Sequence, residues 1–260
     1  MTATASIFSA NGLRALSQFL DARCLVVFDF DGTLAPIVAK PSQAKISPTI
    51  EQLLKKITKL CRVLILTGRS IADVREKLPI EISDIIGNHG FEGCPNVTPE
   101  ILTAAQKTSD TWTAWLRTRF ANDPMFSVEA KSYSVAVHFR AAEMQRDARD
   151  MVHREAEKMQ PKPHILDGKS VVNILPPGLP DKYQALVEFM TTHQYERALF
   201  IGDDVTDNQI FRAQDPRIFS IKVGRHKKLR APWHIEEQTE IEDFLRQILM
   251  IRLFQCESDK

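Results

Sequence analysis

Three short runs rich in branched apolar residues, each ending in polar residues, constrain the fold of this chain more than any other feature of its sequence. They cover residues 25–30, 63–66 and 198–201. Such short apolar runs are typical of strands that are covered on both faces, as in a parallel sheet between two layers of helices. We therefore predict that the three runs are central strands of one parallel sheet.

Helical patterns lie between and after these runs. Ser47 and Pro48 have the residue types of a helix cap and first turn, and apolar residues recur after them at helical spacing. Further helices are predicted after Ser70, over residues 181–190, and near the end of the chain, where residues 241–249 form an amphipathic pattern. This alternation predicts an α/β domain with a doubly wound, Rossmann-like sheet and helices on both faces.

The middle of the chain has a different pattern. Residues 103–120 are helical in spacing, and residues 133–139 alternate between apolar and polar, which predicts an antiparallel strand with one face covered. A helix over 141–159 and a strand over 170–174 complete an α+β insert of roughly 80 residues, an ordinary size for a domain. We place this second domain at residues 95–176, inserted into a first domain of residues 1–94 and 177–260.

Charge and hydropathy exclude some classes of partner. The 34 Lys+Arg and 33 Asp+Glu residues give a net charge of +1, and the densest basic cluster, residues 225–228 with Arg230, is short. We therefore expect no nucleic-acid partner. Apolar stretches fall far short of the roughly 20 residues that span a bilayer, and the first ten residues lack a secretory pattern. We expect a cytoplasmic monomer without a membrane segment.

The polar ends of the strands should meet, because open α/β sheets bind ligands beyond the carboxyl ends of their strands. After the first run, Asp29 and Asp31 leave the strand on the same side, and Gly32 allows a sharp turn. Asp29 could attack a substrate while Asp31 transfers protons; the alternative is a solvated strand end with a turn glycine. After the second run, Thr67 and the following backbone suit phosphoryl oxygens, although any helix can begin in this way.

The third run ends in three carboxylates within five residues, at Asp203, Asp204 and Asp207. These carboxylates would repel one another without a cation, and oxygen ligands favour Mg²⁺. The alternative is an acidic helix N-terminus that the helix dipole stabilises. Lys182, near the start of a predicted helix, is either a solvated surface lysine or the positive charge that a phosphoryl site beside Asp29 needs.

The segments DFDGTL (29–34), TGR (67–69), Lys182 and GDDVTD (202–207) resemble, in this order, the motifs of the haloacid dehalogenase superfamily of aspartate-dependent phosphohydrolases. GNHGFE (87–92), VEAKSYSVAVHFR (128–140) and GKSVVNILPPG (168–178) narrow the resemblance to the trehalose-6-phosphate phosphatase family. The similarity runs from about residue 24 to residue 224. It implies a haloacid dehalogenase core with an inserted α+β cap.

The resemblance also implies roles for individual residues. Asp29 would be the nucleophile, Asp31 the general acid and base, Thr67 a phosphate ligand and Lys182 the phosphate-binding lysine. Mg²⁺ would be held by Asp29, the backbone carbonyl of Asp31 and Asp203, with Asp204 and Asp207 in support. The sugar-phosphate substrate, trehalose 6-phosphate, would be bound by Arg69, His89, Gly90, Glu129, Lys131, His138, Arg140 and Asn173.

The sequence departs from this family at three positions. Asn173 stands where the family has a glutamate that contacts a sugar hydroxyl, Tyr183 replaces a glycine, and Asn208 replaces an acidic residue. Asn173 keeps open a phosphatase for another glycosyl phosphate, such as glucosylglycerol phosphate or sucrose phosphate. A non-catalytic sugar-phosphate sensor is a further alternative, against which the complete set of Asp29, Asp31, Lys182 and Asp203 argues.

Overall fold

The chain divides into two units in the computed structural model, one formed by Met1–Pro95 with Asp181–Lys260 and the other by Asn96–Pro180. The inserted unit thus begins one residue after the boundary drawn from the sequence (95 to 96) and ends four residues after it (176 to 180). The structure describes residues 4–38, 40–168, 170–224 and 230–258. The basic cluster at residues 225–228 lies outside these ranges.

The first unit contains a seven-stranded sheet in which every pair of neighbouring strands is parallel. Its strands are β1 (Ala5–Ser6), β2 (Cys24–Phe28), β3 (Val63–Leu66), β4 (Asp84–Ile86), β9 (Arg197–Gly202), β10 (Ile218–Val223) and β11 (Trp233–Ile235). The three predicted strands are β2, β3 and β9, which lie side by side in the middle of the sheet order β1-β11-β10-β9-β2-β3-β4.

Helices cover both faces of this sheet, as predicted. They are α1 (Ala10–Phe19), α2 (Pro48–Ile57), α3 (Ile71–Lys77), α6 (Lys182–Thr192), α7 (Asn208–Ala213) and α8 (Ile241–Ser258). Val26 and Phe28 of β2 pack in one apolar core with residues of α2 and α8. Because side chains of a strand alternate between faces, Leu25 and Val27 lie on the opposite face, where they are also fully buried.

The local signals at α2 explain why this helix forms where it does. The Ser47 hydroxyl accepts a hydrogen bond from Ile50 N, and Pro48 occupies the first turn, where a missing N–H costs nothing. The apolar residues that recur at helical spacing in α2 are Ile50, Leu53, Leu54 and Ile57, and all four are buried in the apolar core of the first unit. Burial of this face, rather than helix propensity alone, stabilises the element.

The order in which successive strands are added to the sheet reverses between β2 and β9. From β2 the chain continues to β3 on one side, whereas from β9 it continues to β10 on the other. Such a switch point leaves a crevice beyond the carboxyl ends of the two central strands. Asp29 follows β2 and Asp203 follows β9, so both residues leave the sheet at this crevice.

The second unit contains a four-stranded antiparallel sheet with the order β5-β6-β8-β7. Its elements are α4 (Pro99–Arg119), β5 (Ser127–Ala130), β6 (Val135–His138), α5 (Gln145–Ala156), β7 (His164–Gly168) and β8 (Val171–Leu175). Val137 and Val172 form a core of this unit with Trp112 and Leu116 of α4. None of the helices in the described part of the chain combines the length and apolar character that crossing a bilayer requires.

Three expectations for this unit need correction. Helix α4 begins four residues before the predicted Thr103, because Thr98 caps it through Ile101 N and Pro99 fills its first turn. Helix α5 is shorter than the predicted 141–159. The polar face of β6 is more covered than predicted, because Ala136 and the preceding Ser134 are fully buried, although His138 is partly exposed. Lys131 Nζ donates to Asn173 Oδ1 (3.3 Å), and the strand register places Asn173 beside Ala136.

Candidate active site

A buried ion cluster lies at the crevice of the first unit. Lys182 Nζ is 2.9 Å from Asp29 Oδ1 and 2.6 Å from Asp207 Oδ1. All three side chains are almost completely buried. Asp29 is held at the end of β2 because its backbone N–H donates to the Ile201 carbonyl of β9 (2.9 Å). The sequence placed Lys182 and Asp29 together, and the structure brings them into direct contact.

The N-terminus of α6 is fixed in a way that explains the position of Lys182. Asp181 caps the helix, with Gln184 completing the reciprocal capping box, and Lys182 N donates to Gln209 Oε1 (3.2 Å). Gly90 lies directly against this turn: a Cβ at Gly90 would be 2.6 Å from the Asp181 carbonyl carbon. Gly90 was predicted to bind substrate; here its missing side chain allows the close approach of α6.

Asp203, which follows β9, completes the cluster. Asp29, Asp203 and Asp207 each place one carboxylate oxygen within 4.8 Å of the others. Asp203 Oδ1 is buried and has no hydrogen-bond partner among the described residues. Gly32, with φ of 75°, lies so close that a Cβ there would be 2.0 Å from Asp203 Oδ2. The glycine is therefore required both by its backbone conformation and by the approach of Asp203.

The charges of this cluster do not balance, since three carboxylates face one ammonium group. Burial raises the pKa of Asp29 to about 7, against the lowering effect of Lys182. Burial and the nearby Asp29 also raise the pKa of Asp203 well above its usual value. Burial lowers the pKa of Lys182, but Asp207 and Asp29 together raise this pKa by more than burial lowers it, so the net shift is upward. The excess negative charge, and the Asp203 oxygen that has no hydrogen-bond partner in the described part of the chain, fit a divalent cation with oxygen ligands.

Asp207 is closer to the cluster than the resemblance implied. It was predicted only to support the metal site, yet it bonds directly to Lys182 and contributes an oxygen to the acidic group. A 3₁₀ turn at Val205–Asp207 brings its carboxylate back to the backbone N–H of Asp204 (2.9 Å). Asp204 is further from the acidic group, and one of its oxygens accepts from the Thr206 hydroxyl.

The side chain of Asp31 is not part of the acidic group. Arg69 binds it through both Nε and Nη2, with Nη2 2.7 Å from Asp31 Oδ1. Its predicted metal contact is through the backbone carbonyl, so the side chain is left for another role. The pairing of Asp31 with Arg69 had no signal in the sequence, because the two residues lie 38 positions apart.

The loop after β3 and the GNHGFE segment form one hydrogen-bonded unit. Thr67 is buried, its backbone N–H donates to the Ile86 carbonyl of β4, and its hydroxyl accepts from Arg69 N (3.2 Å). His89 is buried in a left-handed conformation, and its ring lies so close to Gly68 that a Cβ there would be 2.4 Å away. Glu92, which was not among the predicted site residues, accepts from Asn88 Nδ2 and from Ile71 N at the start of α3.

The cap residues predicted to bind sugar lie in the second unit. Glu129 Oε2 is 2.7 Å from His138 Nε2, and Lys131 bonds to Asn173. By strand register, Glu129 and Asn173 flank Ala136, on the face opposite the apolar core of this unit. Arg140 is exposed two residues beyond β6. The substrate contacts of these residues stay predictions.

Comparison with known proteins identifies the family. A sequence profile described as trehalose-phosphatase matches residues 27–239, which include parts of both units. The chain belongs to the trehalose-phosphatase family. A trehalose-phosphate phosphatase of Mycobacterium ulcerans is 32% identical over 215 residues, which are 79% of this chain and 55% of that protein. The chain therefore spans about half the length of the curated relatives that it matches.

Solved structures share the fold of this chain. A protein described as related to trehalose-6-phosphate phosphatase superposes with a TM-score of 0.73 at 24% identity, covering 89% of this chain and 99% of its own. The C-terminal domain of a Candida albicans trehalose synthase regulatory protein superposes with a TM-score of 0.65 at 12% identity, covering 95% of this chain and all (100%) of its own. The α/β fold of this chain is thus one that both of these structures share.

Proposed function

We propose that this chain is a Mg²⁺-dependent phosphatase that hydrolyses trehalose 6-phosphate to trehalose and phosphate, with Asp29 as the covalent nucleophile. The observation that supports this most is the buried contact of Lys182 with Asp29 and Asp207, beside an Asp203 oxygen to which no described residue donates a hydrogen bond. Membership in the trehalose-phosphatase family supports the choice of substrate. Bound by Asp29, Asp203 and Asp207, Mg²⁺ would supply the positive charge that offsets repulsion between phosphoryl oxygens and carboxylates.

In the first step, an Asp29 oxygen forms a bond to phosphorus while the bond from phosphorus to the sugar oxygen breaks. Asp31 gives its proton to the departing sugar oxygen, so that trehalose leaves as a neutral alcohol. Lys182 holds the attacking carboxylate by its 2.9 Å contact with Asp29 Oδ1. The product of this step is an aspartyl phosphate at Asp29.

In the second step, water attacks the phosphorus of the aspartyl phosphate and Asp31 accepts its proton. The bond between Asp29 and phosphorus then breaks, which regenerates the carboxylate and releases inorganic phosphate. Two steps with lower barriers replace one difficult displacement. Thr67, buried beside this crevice, is proposed as a phosphate ligand.

Replacement of the nucleophile tests the covalent route. Asp29→Asn should lower phosphate release from trehalose 6-phosphate by about 10⁴-fold or more and abolish the acid-stable labelling of the protein by ³²P-substrate, because an amide cannot form the intermediate. Asp21→Asn, which removes an acid that pairs with Arg197 away from the crevice, is the matched control. Near-normal turnover by Asp29→Asn would refute the covalent route.

Two alternatives have specific support. Asn173, in the place of the family glutamate, supports another glycosyl phosphate, and initial rates over trehalose 6-phosphate, sucrose phosphate and glucosylglycerol phosphate decide between them. The resemblance in fold to a domain of a regulatory protein supports a sugar-phosphate sensor. Turnover that requires Mg²⁺ and stops with EDTA would exclude the sensor, whereas binding of the sugar phosphate without turnover would exclude the enzyme.

A further inference from the structure

We infer that Arg69 is a positioning residue, which orients the Asp31 carboxyl group for proton transfer and does not itself bind the substrate. This inference rests on the proposed function, because it takes Asp31 as the group that transfers the proton. It differs from the expectation drawn from the resemblance, in which Arg69 lines the substrate crevice.

The contact between the two side chains fixes both oxygens of Asp31. Arg69 Nε donates to Oδ2, and Nη2 donates to Oδ1 at 2.7 Å. A guanidinium group that binds a carboxylate through two parallel hydrogen bonds sets the plane and the direction of the carboxylate, which a single contact would not. Asp31 is half-exposed and is therefore otherwise free to rotate into solvent.

The other contacts of Arg69 hold it in place. Nη1 donates to Asp73 Oδ2, and Nη2 donates to the Pro41 carbonyl at 2.9 Å. The guanidinium carbon lies 5.5 Å from the centre of the Phe30 ring. Asp73 belongs to the first turn of α3 and also contacts Lys77 (3.1 Å) one turn later. Arg69 is thus connected to a helix, a loop and the residue that precedes Asp31.

These contacts leave Arg69 little capacity to bind a substrate. A guanidinium group has five N–H donors, and the contacts with Asp31, Asp73 and Pro41 use four of them. The side chain is only 12% exposed. An arginine whose donors are used within the protein acts on the substrate through the group that it holds.

The dependence of rate on the leaving group separates positioning of Asp31 from direct substrate binding. A poor leaving group needs a proton from Asp31 as its bond to phosphorus breaks, whereas a good one departs without that help. Aryl phosphates carry no sugar, so a loss of contact with sugar cannot change their rates. We would therefore measure kcat/KM over a series from phenyl phosphate to p-nitrophenyl phosphate, together with kcat and KM for trehalose 6-phosphate.

Arg69→Gln should lower kcat/KM for phenyl phosphate, and kcat for trehalose 6-phosphate, by about 10- to 100-fold, while p-nitrophenyl phosphate loses less than about threefold. Arg69→Lys should not restore the rate, because an ammonium group cannot bind both carboxylate oxygens. Asp31→Asn should show the same dependence on the leaving group, and the double variant should lose no more than Asp31→Asn alone.

Arg62 provides the matched control. It binds Asp84 through Nε and Nη2 with the same two-point geometry. This pair lies at the amino ends of β3 and β4, whereas the crevice lies at the carboxyl ends of the strands. Arg62→Gln should leave the leaving-group dependence unchanged, whatever it does to the unfolding midpoint. A change in that dependence specific to Arg69 is therefore not a general effect of removing an arginine–aspartate pair.

Three results would overturn the inference. An equal loss of kcat/KM along the aryl series would show that Arg69 binds the phosphate. A higher KM with unchanged kcat for the sugar phosphate would show that it binds the sugar. Additive losses in the double variant would show that it acts independently of Asp31. Hydrolysis of aryl phosphates without trehalose 6-phosphate would refute the proposed substrate alone, and the aryl series would still decide the role of Arg69. If only the sugar phosphate is hydrolysed, the double-variant comparison of kcat decides it, and hydrolysis of neither substrate overturns both proposals.

Discussion

Gly32 and Gly224 have nearly the same left-handed backbone but different surroundings. Their φ angles are 75° and 82°, whereas a Cβ at Gly32 would collide with the Asp203 carboxylate and one at Gly224 would have no atom of the described residues within 4 Å. Substitution by alanine therefore imposes a similar backbone strain at both positions, about 1–2 kcal/mol. Only at Gly32 does the new methyl group displace a residue of the acidic cluster.

We expect Gly32→Ala to lower phosphatase activity by about 100-fold or more and Gly224→Ala to lower it by less than about twofold, because only the first moves Asp203. The increase in unfolding midpoint caused by Mg²⁺ should disappear in Gly32→Ala and persist in Gly224→Ala. Steady-state kinetics and thermal unfolding with and without Mg²⁺ measure both effects. Full activity in a folded Gly32→Ala would show that Asp203 can be displaced without consequence.

The residues of the site differ in how well their positions could be predicted from the sequence. Asp29, Lys182 and Asp203 belong to motifs that follow strands or precede a helix, so their convergence could be predicted from the topology of a parallel sheet. The contact of Asp207 with Lys182 and that of Arg69 with Asp31 join distant segments through side-chain geometry. No local pattern of residue types encodes such pairs, and they became visible only in three dimensions.

Helix α6 carries Lys182 at its first position, and the next residue connects that turn to the β10 side of the sheet. Tyr183 donates its hydroxyl hydrogen to Asp215 Oδ2 (3.1 Å), and Arg217 binds the same carboxylate at 2.6 Å. The hydrogen bond from Arg217 is the main reason why the pKa of Asp215 falls to about 2. The glycine of the family could not make this connection.

The lowered pKa of Asp215 predicts a stability contribution that depends on pH. Because the folded-state pKa is below the ordinary value of 3.8, the contribution is complete above about pH 4 and is lost as the pH falls toward 2. Asp215→Asn should reduce the free energy of unfolding by on the order of 1 kcal/mol at pH 6, with little difference from the unsubstituted chain near pH 2.

Denaturant unfolding at both pH values measures this difference. Asp243→Asn is the control, since Asp243 is 74% exposed and 4.0 Å from Arg246. A loss at pH 6 that persists undiminished at pH 2 would show that the Asp215 carboxylate charge is not the source of the stability.

The elements that the sequence predicted best are those whose own residues determine them. Strand β3 has the predicted bounds, and α2 begins at the predicted cap. Strands β4 and β11 have three residues each, too few for a periodic pattern, and they form because β3 and β10 offer them an edge. Strand β6 was assigned correctly as antiparallel, but the alternation of residue types did not indicate that Ser134 and Ala136 are fully buried.

The two units of the molecule have separate apolar cores. One core includes side chains of β2, β9, α2 and α8, and the other includes side chains of α4, β6 and β8. The carboxylates proposed to bind Mg²⁺ all belong to the first unit. A bound ligand stabilises only the part of a protein that must be folded for the ligand to bind. Mg²⁺ should therefore stabilise the first unit and leave the stability of the second nearly unchanged.

The three tryptophans of the chain can report on the units separately. Trp112 and Trp115 belong to the second unit and Trp233 to the first. Trp233→Phe therefore leaves fluorescence from the second unit alone, and Trp112→Phe with Trp115→Phe leaves it from the first. At 100 times its Kd, Mg²⁺ adds about 2.7 kcal/mol to the free energy of unfolding. The midpoint of the thermal transition reported by Trp233 should therefore rise by roughly 5–10 °C. The midpoint reported by Trp112 and Trp115 should change by less than about 2 °C, which corresponds to less than about 1 kcal/mol.

Asp203→Asn supplies the control for the metal, because it removes the carboxylate whose oxygen has no partner in the described chain. The upward shift of the Trp233 transition should then vanish, while the transition of the second unit stays where it was. Equal shifts of both transitions in the unsubstituted background would mean that the chain unfolds as one cooperative body despite its two cores. A shift of the second unit alone would place the metal among residues of the cap, and the acidic cluster at the end of β9 would lose its proposed role.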